Sequence, residues 1–124
     1  MKILLDTHIY LWAVSEPEKL TRSQIEILER PSNILYVSAV SIAEIMIKQS
    51  LGKLEIDFDP LQMIGESGFD SLDFSTEDAM KLGELPFYHR DPFDRMLIAQ
   101  SMNRKIALMS NDGKFGPYQC KVIR

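Results

Sequence analysis

The stretch YHRDPFDRMLIAQSMNRKIALMSND, Tyr88 to Asp112, decides the architecture. Asp91 stands before Pro92, which sets an acceptor at a helix cap and a fixed φ at the first helical position. The spacing predicts a helix from Pro92 to about Asn103. KIALMS follows, an apolar run too short for a second helix and suited to a buried strand. Ser110, Asn111 and Asp112 then close it with turn-forming residues. A helix feeding a buried strand that ends in a polar loop is the repeating unit of a parallel α/β sheet.

The same pattern runs outward from this segment. KILLD is a short apolar strand ending in an acid, and the helix from Thr7 to Ser15 must stop before Pro17. TRSQIEILER opens with Thr21 and Gln24 in capping-box spacing, NILYVS is a second strand, and SAVSIAEIMIKQSLG is an apolar helix closed by Gly52. KLEIDFD alternates apolar and polar residues and reads as an extended or edge segment. Asp59 and Pro60 start another helix, DSLDF is a candidate strand, and Ser75 with Asp78 caps the helix that Pro86 ends. CKVIR supplies a last strand. The expectation is an α/β fold with a mostly parallel central sheet, helices on both faces, and one domain spanning residues 1–124. In such sheets, ligands bind beyond the carboxyl ends of the strands.

Composition narrows the function. Asp6 and His8 interrupt the N-terminal apolar run, so it is not a signal peptide, and Glu44 and Lys48 break the longest apolar stretch, so no segment spans a bilayer. The single cysteine, Cys120, cannot form an intrachain disulfide, and the chain reads as cytoplasmic. The net charge of −4 does not advertise a nucleic-acid binder, but setting aside Asp6, Glu44, Asp91, Asp94 and Asp112 leaves the rest at +1.

Those acids carry the chemistry. Asp6 ends the first strand, where it either caps the following helix or faces a ligand. Asp112 belongs either to a turn or to the same site. Glu44 is the only charged residue between Arg30 and Lys48. A carboxylate in that setting needs a capping partner such as Ser41, an ion pair with Lys48, or a metal. Asp91 has a sufficient role as a cap, whereas Asp94 shares a helical face with Leu97 and Ile98 and is assigned to the metal. Several carboxylates with few soft ligands call for a hard cation, Mg2+ or Mn2+, and exclude a zinc site by spacing. Such a centre activates water and stabilises charge at phosphorus, which points to phosphodiester hydrolysis.

Taken in order, LLDTHIYLW, VSAVSIAEI, HRDPFDRMLIAQ and ALMSND resemble the PIN-domain (PilT N-terminus) endoribonucleases, most of all the VapC-type toxins of type II toxin–antitoxin pairs. The resemblance covers nearly the whole chain. It implies a three-layer α/β/α sandwich and an Mg2+- or Mn2+-dependent ribonuclease site formed by Asp6, Glu44, Asp94 and Asp112. Thr7, Asp91, Arg95 and Ser110 are its accessory or substrate-binding candidates, and His89 resembles a feature of one branch. RNA contacts are expected from Arg90, Arg95, Lys114 or Lys48. The resemblance further implies a homodimer and an antitoxin partner, for which IYLWAV, Met46 and Met63 offer apolar surface. A receiver domain fails, since it needs paired acids after the first strand. A non-catalytic RNA- or partner-binding module, and a nuclease acting on DNA, stand as the other readings.

Overall fold

Alternation along the central strand sets the layering. In β1 (Lys2–Leu5), Ile3 and Leu5 join one apolar cluster and Leu4 the other, and all three are fully buried. A strand covered on both faces must lie between two layers of helices. The computed structural model, which describes residues 1–118 and 120–124, shows that arrangement.

The elements follow as β1, α1 (Thr7–Ser15), α2 (Arg22–Glu29), β2 (Ile34–Ser38), α3 (Ala39–Ser50), α4 (Pro60–Glu66), β3 (Asp70–Leu72), α5 (Thr76–Lys81), α6 (Pro92–Arg104), β4 (Ala107–Met109) and β5 (Val122–Ile123). The strands lie in the order β3-β2-β1-β4-β5, and every pairing is parallel. Leu5 pairs with Val37 on one side and Met109 on the other, so β1, β2 and β4 end level with one another. The chain winds one way from β1 to β2 and the other way to β4, which makes the gap beyond β1 and β4 a topological switch point.

Local chemistry sets the helix ends. Thr21 with Gln24 and Ser75 with Asp78 form complete capping boxes, and Asp91 accepts from the Asp94 N–H at 3.0 Å. Ser41 and Glu44 do not form a box. Helix α3 starts earlier, at Ala39, with the Ser38 hydroxyl accepting from Val40 N–H. Residues 53–59 form no strand; Leu54 and Ile56 pack against the first core cluster, and β3 occupies the sheet edge.

Helix α6 is fixed by Asp78, a fully buried carboxylate. It accepts from Gln100 Nε2, Asn103 Nδ2 and the Arg104 guanidinium of α6, besides the N–H of Ser75. Burial alone pushes this carboxyl up, but the bonds from Arg104, Ser75, Asn103 and Gln100 outweigh burial and hold it down at about 2. A folded value below the unfolded one gives stability that is present above the unfolded value of 3.8 and lost as pH falls towards 2. Asp78→Ala is expected to destabilise the protein by about 2–4 kcal/mol, because it strands the buried Gln100 amide and removes the ion pair with Arg104. Urea titrations at pH 7 and pH 3 check this: the gap between wild type and variant should shrink at the lower pH.

Candidate metal centre

Parallel winding brings the N-termini of α1, α3 and α6 to the edge where β1, β2 and β4 end. Asp6 lies directly after β1, Asp94 in the first turn of α6, and Asp112 just beyond β4. Glu44 comes from the second turn of α3.

Asp6 is buried and caps α1, its Oδ1 accepting from the Ile9 N–H at 2.8 Å. Burial raises its carboxyl above the ordinary range; Ser110 and the Ile9 N–H oppose this, and the charge of Asp112 adds to it. Ser110 is buried and accepts from the Asp112 N–H at 3.0 Å, so the turn after β4 is folded against Asp6. Glu44 is only 3% exposed. The Thr7 hydroxyl donates to its Oε1 at 2.8 Å and lies 2.9 Å from the Ser41 hydroxyl, while Lys48 donates to Oε2 at 2.6 Å. The ion pair expected from i,i+4 spacing is therefore present. The Lys48 ammonium is held above its ordinary value by its bond to Glu44, against some burial and aided by the charges of Glu44, Asp91 and Asp94. Lys48 thus stands at the mouth of the acidic group.

Asp94 is the most perturbed member. Burial, the charge of Asp91 and the charge of Glu44 push its carboxyl up to about 7, with His89 pulling the other way. His89 Nε2 lies 2.7 Å from Asp94 Oδ2 and 3.4 Å from Asp112 Oδ2. These three residues offer ligand atoms that all lie within 4.8 Å of one another. Asp6 adjoins this group through Asp112, and Glu44 adjoins it through Asp94. The expected four acids therefore share one edge, but as a chain: the tight triplet is Asp94, Asp112 and His89. His89 Nε2 is buried without a well-aligned hydrogen-bond partner, since the short contact to Asp94 is off the ring N–H direction. Crowded carboxylates, one of them forced towards neutrality, form an oxygen donor set that fits a small divalent cation, with the buried His89 nitrogen against them.

The accessory candidates separate. Thr7 and Ser110 orient acids directly, and Asp91 caps α6. Arg95, expected among the substrate contacts, is buried instead. Its guanidinium donates to the carbonyls of Leu85, Pro86 and His89 and stacks 4.3 Å from the Phe87 ring centroid, so its donors serve the protein itself. Arg90 and Lys114 remain exposed. His89 is buried and points at Asp94 and Asp112, which nothing in the local sequence of its loop foretells.

Two grooves flank the acids. One, of about 270 Å³, is lined by Asp6, His8, Trp12 and Asp112. The other, of about 290 Å³, is lined by Thr7, Leu11, Trp12, Glu44, Lys48 and Lys53 among others. Leu11 and Trp12 of IYLWAV thus face a groove, whereas Met46 and Met63 line neither.

Comparison with known proteins agrees with the fold. No curated protein matches the sequence. Among solved structures of similar fold, a chain of VapBC2 from Rickettsia felis, bound to a DNA fragment from their promoter, is 18% identical. The match covers 99% of this chain and 98% of that one, with a TM-score of 0.76. A chain of DNA-bound VapBC from Salmonella typhimurium is 16% identical over 99% of this chain and 97% of that one, with a TM-score of 0.69. VapBC-5 from Mycobacterium tuberculosis is 15% identical over 99% and 98%, with a TM-score of 0.66. The family model of the PIN domain matches residues 3–118, and the chain belongs to that family.

Proposed function

We propose that the protein is an Mg2+- or Mn2+-dependent endoribonuclease, acting as the toxin of a toxin–antitoxin pair, with residues 1–124 as one nuclease unit. The observation that carries this reading is the gathering of Asp6, Glu44, Asp94 and Asp112 beyond the switch point of the sheet, with the Asp94 carboxyl raised to about 7 by burial and by the charges of Asp91 and Glu44. A divalent ion bound there supplies an activated water and stabilises charge on the phosphorus centre. The protein's own residues do the rest. Asp94 and Asp112 would hold the ion with Asp6 beside them, and Ser110 orients Asp6. Thr7 fixes Glu44, and Lys48 offsets its charge at the mouth of the site, where a phosphate would arrive.

The antitoxin partner is supported by the similar solved structures, which are VapBC assemblies, and by the apolar groove beside the acids at Leu11 and Trp12. Ile47 and Leu51, 46% and 62% exposed on and just after α3, support pairing of two copies through that face. Among the described residues no helix is long and apolar enough to cross a membrane, and action on RNA in the cytoplasm follows from the rest of the reading.

Purified protein freed of any partner should cleave an RNA pool with Mn2+ or Mg2+ and not with EDTA. Asp94→Asn should lower the rate on the order of a hundredfold or more, because loss of even an outer-shell partner of a metal costs 10–100-fold. Asp91→Asn should stay close to wild type, since asparagine caps a helix as well as aspartate. Absence of cleavage by wild type on RNA of every class tried would overturn the enzymatic reading.

The raised Asp94 carboxyl gives two pH dependences of opposite use. A proton and the cation compete for it, so Mn2+ affinity by calorimetry should fall about tenfold per pH unit below 7 and flatten above. A folded value above the unfolded one also means stability present at low pH and lost as pH rises through 7. Asp94→Asn should therefore raise the metal-free Tm at pH 8 while lowering cleavage, and an unchanged or lower Tm would contradict a carboxyl raised by burial and neighbouring charge.

A further inference from the structure

The loop from Leu85 to Asp91 contributes one buried polar side chain, and its position is unusually well defined. The His89 N–H donates to the Tyr118 hydroxyl at 2.8 Å, and that hydroxyl donates to the Pro86 carbonyl at 3.0 Å. The His89 carbonyl accepts from Arg95 Nη1 at 3.4 Å, and the same nitrogen bonds the Pro86 carbonyl at 2.9 Å. Both backbone groups of His89 are thus gripped, one from α6 and one from the segment after β4. The ring lies 5.8 Å from that of Phe115, tilted by 45°.

The two ring nitrogens then differ. Nδ1 accepts from the Asp91 N–H at 3.3 Å, so its lone pair is engaged and a neutral ring carries its proton on Nε2. Nε2–H therefore faces Asp94 Oδ2 and Asp112 Oδ2, at 2.7 and 3.4 Å, as a donor shared between two carboxylates. Sharing explains why neither bond is straight and why the nitrogen has no aligned partner. Asp91 caps the Asp94 N–H, and among the described residues Asp94 Oδ1 accepts no hydrogen bond. A carboxylate tied by one oxygen and open at the other is how a metal ligand is oriented by its surroundings.

We infer that His89 is a positioning residue of the acidic centre: its imidazole, locked by Tyr118 and Arg95, sets the spacing and orientation at which Asp94 and Asp112 receive a divalent cation. This rests on the metal-dependent reading above. His89 does not itself ligate the ion, and Arg95 and Tyr118 act through it.

The test is Mn2+ binding by calorimetry at pH 7.5 on the full chain, with the metal-free Tm measured beside it. Variants are His89→Leu, His89→Gln, which keeps a side-chain N–H, and Tyr118→Phe, which loses the hydroxyl. The expected result is a 10–100-fold weaker affinity in His89→Leu, with most of it recovered in His89→Gln and a smaller loss in Tyr118→Phe. Ring 15N shifts of wild type with Mg2+ should show the proton retained on Nε2. Wild-type affinity in a folded His89→Leu overturns the positioning role while leaving the metal centre standing. Loss of the Nε2 proton on metal addition overturns it in favour of direct ligation. No Mn2+ binding by wild type overturns both this inference and the reading on which it rests.

Discussion

Like charges brought to one edge of a sheet repel one another, and much of this structure is arranged around that repulsion. An all-parallel sheet with β1 at its centre delivers the residues after β1 and β4, the first two turns of α3 and the first turn of α6 to the same edge. The topology that creates the pocket therefore also crowds its carboxylates. The Asp94 carboxyl, raised to about 7 by burial together with the charges of Asp91 and Glu44, is the clearest mark of that conflict.

The protein offsets the repulsion by several local means. Asp6 caps α1, Asp94 lies in the first turn of α6, and Asp112 accepts from the Lys114 N–H at the start of a short helical turn. Each of these places a negative charge where backbone N–H groups are otherwise unpaired. Glu44 is answered by Thr7 and Lys48, and the gap between Asp94 and Asp112 by His89. The frame beneath is stiff. Asp78 ties α5 to α6 through a set of polar bonds, and Arg95 with Tyr118 ties the loop before α6 to the segment between β4 and β5. What remains uncompensated is concentrated at Asp94, where a cation would do the most.

Much of this was legible in the residues, where the cause is local. Cap residues, the Asp91-Pro92 start and short apolar runs ending in acids set the element order, because each acts within a few positions of itself. The acids could be named because buried strands leave few polar choices at their ends. What failed depended on distant partners. Arg95 looks like any surface cation until the carbonyls of Leu85, Pro86 and His89 close around it. Asp78 reads as a cap alone, since its other donors sit more than twenty residues later on α6. The inward turn of His89 depends on a hydroxyl at Tyr118, beyond the next strand. KLEIDFD alternates like a strand, yet DSL takes the position next to β2, and Leu54 and Ile56 pack against the core outside the sheet.

The most direct measurement of the central claim is anomalous scattering from crystals of the full chain grown with Mn2+ near pH 7.5. The account expects an ion in contact with Asp94 and Asp112, with Asp6 on the same side and His89 hydrogen-bonded behind the carboxylates. A well-ordered edge at saturating Mn2+ with no ion among these acids would contradict it.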